Sequence, residues 1–351
     1  MLTSKRCTAQ IATLVKTKYK SNIILCLNSF CGGCGPDNMW GVFVDYEENL
    51  VAKSAWYYYV GGLTQQNIAD KLGVSRIHVI RLLDMARQTG VINFRIQENS
   101  IRRFDLEKKM TDRWGLSDVF VAPAPVKGME EAENVAYAAA MYIETFTSEN
   151  DYINMGYGYT LGKVLNHIAR NVEKRLSIIS LSGGVSCYLP DSESSIFNAK
   201  LYLMPAPLVV SSAEMAKAII AEPSVQEVLS MHKLASATIV GIGGMNEDAT
   251  VVKSGTITKN DFRLLSMQNA VGDVLCHFYD KNGEPVGAEL DSRLISTPLQ
   301  TLKSLNRVIG VSAGVNKVDA ILGALRAGLL DVLITDEDTA EAVLAKADSE
   351  E

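Results

Sequence analysis

Histidine is scarce in this chain, with four in 351 residues, and His78, His167, His232 and His277 form neither a catalytic triad nor a metal-ligand spacing. There is also no nucleophile-elbow serine motif and no Walker lysine, so direct support for catalysis is slight. No uninterrupted apolar run approaches the roughly 20 residues that span a bilayer. No cleavable leader with a small-residue cleavage site is convincing either, so the expected location is the cytoplasm. An excess of positive charge is missing as well. The formal net charge of −6 excludes a protein that coats nucleic acid without specificity, yet leaves room for a local basic head on an acidic body. The six cysteines are scattered, and Cys7, Cys26, Cys31 and Cys34 crowd the first tenth of the chain. Cys31-Gly-Gly-Cys34 has the spacing of a redox or zinc half-site. Only Cys7 and Cys26 stand near it and no histidine does, so the expectation is no metal and no cofactor.

What remains is ordinary globular material, 47% hydrophobic and 21% charged, long enough for a small module and one sizeable domain. Residues 1 to 38 hold no persistent helical or strand period and read as a non-matching extension, with Met39 a sensible start. The small module occupies 39–100. Within it Leu63 to Ile96 reads as a helix-turn-helix followed by a short strand. Thr64 caps a helix whose Ile68, Ala69 and Leu72 recur at helical spacing, Gly73 lies where the chain must turn, and Ser75 caps the next helix. Val79, Leu82, Leu83 and Ala86 mark the buried side of that second helix, which leaves Arg76, Ile77, Ile80, Arg81 and Asp84 facing outward. Gly90 closes it, and Val91 to Ile96 alternates like a wing strand. Upstream, Leu50 to Val60 supplies a supporting helix with Ala52, Ala55, Trp56 and Tyr59 as its apolar spacing. A winged helix-turn-helix results, although capped helix pairs also occur as satellites that never meet DNA. Arg76 and Arg81 favour DNA, because a guanidinium can bond guanine bidentately or hold a phosphate. The candidate DNA contacts are Gln65, Ser75, Arg76, His78, Ile80 and Arg81.

From Ile101 an amphipathic segment, 101–117, reads as a connecting helix with Phe104, Leu106, Met110 and Trp114 available for packing. The body, 118–351, begins with the strand Val119 to Ala122 and an alanine-rich helix around Glu131 to Phe146. Short apolar runs follow at Tyr152 to Met155, Ile178 to Leu181, Leu201 to Met204, Thr238 to Ile242, Arg307 to Val311 and Asp331 to Ile334. Helical stretches separate most of them, which predicts a Rossmann-like, mainly parallel α/β sheet buried on both faces.

Ligands of such sheets sit beyond the carboxyl ends of the strands. Three glycine turns fall there. In the first, Gly156 and Gly158 permit close backbone approach while Tyr159, Thr160 and Leu161 open a helix whose free amides, with the Thr160 hydroxyl, suit a phosphate or other anion. Gly183, Gly184 and Val185 repeat the arrangement after the next strand, and Gly241-Ile242-Gly243-Gly244 does so again. Each alone reads equally well as a tight turn; their recurrence at strand ends is the better signal. Asp273 reads either as a carboxylate for sugar hydroxyls or as a turn cap, and Lys317 either as a phosphate partner or as a solvated first-turn lysine.

The chain resembles the SorC family of bacterial transcriptional regulators over nearly all of Val51 to Leu344. The resemblance rests on AWYYYVGGLTQQNIADKLGVSRIHVIRLLDMARQTGVINFRI in the head and on GYGYTLG, LSGGVS, MPAPLVVSS, ATIVGIGGM, SGTI, AVGDVLCHFYDKNG, GVSAGVNKVDAILGALRAG and VLITDEDTAEAVL in the body. It implies a homo-oligomer, usually a tetramer, that binds operator DNA through winged heads. It also implies a body similar to sugar-phosphate isomerases of the glucosamine-6-phosphate deaminase and ribose-5-phosphate isomerase type, serving as a sensor. The implied effector is a phosphorylated sugar, polyol or phosphorylated autoinducer-2. By motif, the phosphate loop falls on Gly156 to Leu161, a second ligand loop on Gly183 to Val185, the hydroxyl contact on Asp273 and the phosphate-pairing lysine on Lys317. Two positions depart from the pattern: Ile80 stands where small polar residues are usual, and His78 where lysine is common. The alternative is an isomerase or deaminase carrying a DNA-binding head. Such an enzyme needs a base and an acid on opposite sides of the sugar carbon, and Asp273 alone does not make that pair.

Overall fold

The computed structural model describes residues 36–92, 98–125, 128–171, 174–184, 199–246 and 249–350. The chain divides into two units at the junction of residues 95 and 96. In the first, a long helix α1 (Pro36–Tyr59) is followed by α2 (Gln65–Leu72) and α3 (Arg76–Gln88). Helix α1 already runs at Pro36, upstream of Met39. The Thr64 hydroxyl accepts from the Asn67 amide at 3.2 Å and starts α2, and Gly73 at φ +70° ends it, a conformation that costs glycine little. The Ser75 hydroxyl accepts from the His78 amide at 3.2 Å and starts α3. Ile68, Ala69, Val79 and Leu83 form one small core, and Leu82 and Ala86 pack on Val51 and Ala55 of α1.

The buried face of α1 differs from the expected one. Val51, Ser54 and Ala55 are buried, whereas Ala52, Trp56 and Tyr59 are exposed, because α3 meets the helix one residue round from the predicted stripe. The expected wing strand falls mostly outside the described residues; Ile92 donates its amide to the Ala86 carbonyl at 3.1 Å and packs beside Val51 and Ala55.

The second unit opens with α4 (Glu98–Trp114), which lays Leu106 and Met110 into the core while Phe104 stays 57% exposed. Phe104 was expected to pack; it lies about 160° round the helix from Leu106 at 100° per residue. Strands β1 (Asp118–Ala122), β2 (Tyr152–Met155), β3 (Ser177–Ser180), β4 (Lys200–Tyr202) and β5 (Ala237–Gly241) alternate with α5 (Glu131–Phe146), α6 (Tyr159–Asn171), α7 (Ala213–Ile220) and α8 (Pro223–Met231). After β5 come β6 (Gly243–Gly244), α9 (Lys259–Met267), β7 (Gly272–Val274), β8 (His277–Tyr279) and β9 (Pro285–Val286). The chain then returns through β10 (Val308–Val311), α10 (Val318–Arg326), β11 (Val332–Asp336) and α11 (Glu337–Glu350).

The large sheet runs β1-β11-β10-β5-β2-β3-β4, and every pairing in it is parallel. Burial of Ile153, Ile239, Ile309 and Ile334 on one face and Val119, Val240, Val308 and Leu333 on the other explains why these strands read as continuous apolar runs. Chain order reverses between β2 and β5, which opens a crevice at their carboxyl ends. The small antiparallel sheet β6-β7-β8-β9 continues from the end of β5 and stands at that crevice.

Candidate functional site

The crevice is closed in by backbone approaches that only glycine allows. The Gly156 amide donates to the Ile239 carbonyl at 2.8 Å, and a Cβ on Gly156 would lie 2.9 Å from Leu275 Cδ2. Leu161 packs under Gly156 and Gly241 with 1% of its surface exposed, so its side chain belongs to the core and only its backbone faces the crevice. Gly158, at φ +133°, turns the chain into α6, where the amides of Tyr159, Thr160 and Leu161 have no carbonyl within the helix to receive them. Tyr159 itself is exposed and engaged at the rim: its hydroxyl donates to Glu130 at 2.7 Å, and Lys163 lies 4.8 Å from its ring centroid while pairing with Glu133 at 2.8 Å.

Across the crevice, Asp273 presses against Gly243, and Gly244 faces Lys317, whose Cδ would sit 3.0 Å from a Cβ there. Asp273 Oδ2 accepts from the Cys276 amide at 3.0 Å and caps a turn in which Leu275 and Cys276 both take positive φ. Turn cap and buried carboxylate are thus one residue. Burial pushes the Asp273 carboxyl above the usual range, against the Cys276 amide, the Lys317 ammonium and His277, which favour its charge. Burial likewise pulls the Lys317 ammonium below the usual lysine value, with Asp273 opposing, so Lys317 is not a solvated first-turn lysine.

Lys317 is held from β11. Asp336 Oδ1 accepts from the Thr339 amide at 2.8 Å at the start of α11, and the Gly314 amide donates to the Thr339 hydroxyl at 2.7 Å and to Asp336 Oδ2 at 3.3 Å. That clamp fixes the loop leading to Lys317.

The Ser182–Gly184 turn joins the same end through Ser182, which bridges Ser296, whose hydroxyl donates to the Leu275 carbonyl at 2.9 Å. Its glycine amides are already occupied: Gly183 donates to Ile295 at 2.9 Å and Gly184 to Ala206 at 2.8 Å. Val185 lies outside the described residues. The pairing of Gly243-Gly244 with Asp273 and Lys317 was missed from sequence. The glycine pair was visible, but its partner strand stands about thirty residues on, and only pairing joins them.

In the head, Arg76, Ile77 and Arg81 are exposed on α3, Ile80 is 37% exposed, and His78 is half-buried. Arg76 Nε donates to Gln65 Oε1 at 3.4 Å, so two of the expected DNA contacts touch before any DNA arrives. They line an open groove of about 460 Å³ with Tyr58, Gly62, Leu63, Thr64 and Gln66, and Tyr58 was not among the residues expected there. Among the described residues no group of histidine, cysteine and carboxylate side chains could hold a metal ion, and no helix is long and apolar enough to cross a membrane.

Residues 98–345 match the Sugar-bind family of sugar-binding domains. The transcriptional regulator LsrR of Enterobacter sp. (strain 638) is 35% identical over 305 residues, covering 86% of this chain and 94% of its own length. LsrR of Escherichia coli K12 is 32% identical over 305 residues, covering 85% and 95%. Among solved structures, the full-length sorbitol operon regulator SorC from Klebsiella pneumoniae covers 84% of this chain and 98% of its own, with a TM-score of 0.61 at 22% identity, a likeness of fold. A DeoR family transcriptional regulator from Listeria monocytogenes covers 69% and 99%, with a TM-score of 0.60 at 26% identity. With a capped helix-turn-helix in the head and a mainly parallel α/β body that matches the sugar-binding family, the chain belongs to the SorC family of sugar-binding transcriptional regulators, DNA-binding proteins with a sugar-binding effector domain.

Proposed function

We propose that this regulator senses a phosphorylated sugar or polyol, phosphorylated autoinducer-2 included, in the crevice between β2, β5 and the β7–β8 hairpin, and that occupancy changes operator affinity. The observation that carries the reading is the convergence there of the Gly156–Leu161 turn, Asp273 and Lys317. The α6 amides and the Lys317 ammonium suit the phosphate, and the Asp273 oxygen not used by Cys276 suits a hydroxyl. In the head, Arg76 and Arg81 contact base edges or phosphates from α3, Ile80 meets a thymine methyl, and Gln65 holds Arg76 in place. Ser75 acts through the cap that starts α3, and His78 is the half-buried neighbour of that contact row.

The division of labour follows the chain: head at 39–100, connecting helix at 101–117, effector body at 118–351. The protein works in the cytoplasm, without catalysis, as a homo-oligomer whose paired heads meet two operator half-sites; a tetramer is the form to look for by light scattering. The test is fluorescence anisotropy of a labelled fragment from upstream of the protein's own operon, titrated with and without a panel of sugar and polyol phosphates. Salt-sensitive, sequence-specific binding shifted by one compound is the expected result. Specific binding that no compound shifts defeats the effector half of the reading. Turnover of ribose 5-phosphate or glucosamine 6-phosphate would replace it with an enzyme.

A further inference from the structure

Strand β11 passes into α11 between Asp336 and Glu337, and these consecutive residues face different partners. Asp336, with Thr339, holds the Gly314 amide, and the Lys317 amide donates in turn to the Gly314 carbonyl at 2.8 Å. Glu337 Oε1 lies 3.4 Å from Arg102 Nε on α4. Arg102 is shared: its Nε also donates to Glu341 Oε1 at 2.6 Å, and a terminal nitrogen reaches the same oxygen. Glu337 and Glu341 stand one turn apart on one face of α11. One guanidinium thus has two carboxylates within reach, and its single Nε hydrogen serves only one of them well.

The rest of α11 is pinned. Ala340 and Val343 are buried in the core, Arg113 of α4 pairs with Asp348, and Arg326 and Asp319 of α10 pair with Glu350 at 2.7 Å and Lys346 at 2.5 Å. Near Arg102 the packing is open. Ile101, Arg102 and Phe104 are exposed, and a groove of about 390 Å³ is lined there by Ile101, Arg102, Asp105 and Glu341, so the guanidinium has room to change partner. Helix α11 packs against both the turn Val315–Lys317 and α4. In chain order α4 is the first described helix after the head. A change at Lys317 reaches Asp336 through Gly314, and the next residue is a carboxylate that competes for Arg102.

We infer that α11 carries effector occupancy from the Lys317 turn to the connecting helix, and that Arg102 is the switch, pairing with Glu341 in one state and with Glu337 in the other. The inference rests on the effector crevice proposed above and supplies the route by which that crevice acts on operator affinity. Arg102 is 59% exposed, and an exposed ion pair adds little to the stability of a fold. An exchange between two such pairs of similar strength is, for the same reason, easily biased by a ligand that prefers one of the two states.

The experiment is operator anisotropy with the full chain, in the parent, Glu337→Gln, Glu341→Gln and Arg102→Ala, with and without ribose 5-phosphate, glucosamine 6-phosphate and glucitol 6-phosphate. Without a sugar phosphate, Glu337→Gln leaves Arg102 to Glu341, and Glu341→Gln leaves it to Glu337. The two variants are therefore expected to move operator affinity in opposite directions, each by about two- to tenfold. Arg102→Ala is expected to bind the effective compound within about threefold of the parent by calorimetry, yet to lose most of the shift in operator affinity that the compound produces. Melting temperatures by circular dichroism are expected to stay within ~4 °C of the parent, as exposed pairs require. A merely structural pair makes both glutamine variants move operator affinity the same way or not at all, and that outcome overturns the inference. So does a folded Arg102→Ala protein that keeps the parent's full shift; in either case the effector crevice stands. If none of the compounds shifts the parent's operator affinity, the effector reading falls and the inference falls with it.

Discussion

Asp273 shows how one side chain is divided between fold and function. One oxygen caps the hairpin turn, while burial raises the carboxyl above its usual range. Asparagine can keep the cap and removes the buried charge. A raised folded value means that stability is lost as pH rises from the unfolded carboxyl value through the folded one. Asp273→Asn is therefore expected to melt at or above the parent at neutral pH, with the advantage shrinking on acidification, and to bind the effector more weakly. A lower melting temperature at neutral pH would show that the charge stabilises the empty site. In the head, Arg76→Ala and Arg81→Ala are each expected to weaken operator binding by about 1–3 kcal/mol if they read bases, with effector titrations unchanged. Operator isotherms that superimpose on the parent's would remove α3 from the interface.

At the scale of elements, the glycines of the small sheet are packing devices rather than ornaments of a turn. A Cβ on Gly272 would collide with Ala320 of α10, so Gly272→Ala is expected to cost about 1–3 kcal/mol in urea unfolding, with no left-handed φ involved. Thr64→Ala removes the α2 cap and is expected to cost about 1 kcal/mol of head stability, seen as a lower helical melting transition. The helices of the head were legible because Thr64, Gly73 and Ser75 act within a few residues of the groups they satisfy. The runs around β2 and α5 were legible for a similar reason: uninterrupted apolar or alanine-rich stretches have one dominant period. The α1 stripe and Phe104 were misjudged because several registers of apolar residues were available, and the neighbour that chooses among them is remote in sequence.

For the whole molecule, coupling between effector and operator is reciprocal: a ligand that lowers operator affinity by some factor must itself bind the DNA complex more weakly by that factor. Titrating effector into the free protein and into the protein–operator complex is expected to give dissociation constants whose ratio equals the shift in operator affinity. Unequal factors would mean that a third equilibrium, such as assembly, takes part. The sequence by itself determined that a capped helix-turn-helix precedes a parallel α/β body and that glycine turns lie at strand ends, because caps, periods and turns are short-range physics. Only the tertiary structure decided that Gly243 and Gly244 meet Asp273 and Lys317, that Asp336 clamps the Lys317 loop, and that His277 is buried against Asp291. Those contacts form when strands distant in sequence pair and a carboxylate leaves water, and neither event is written in any local stretch of chain.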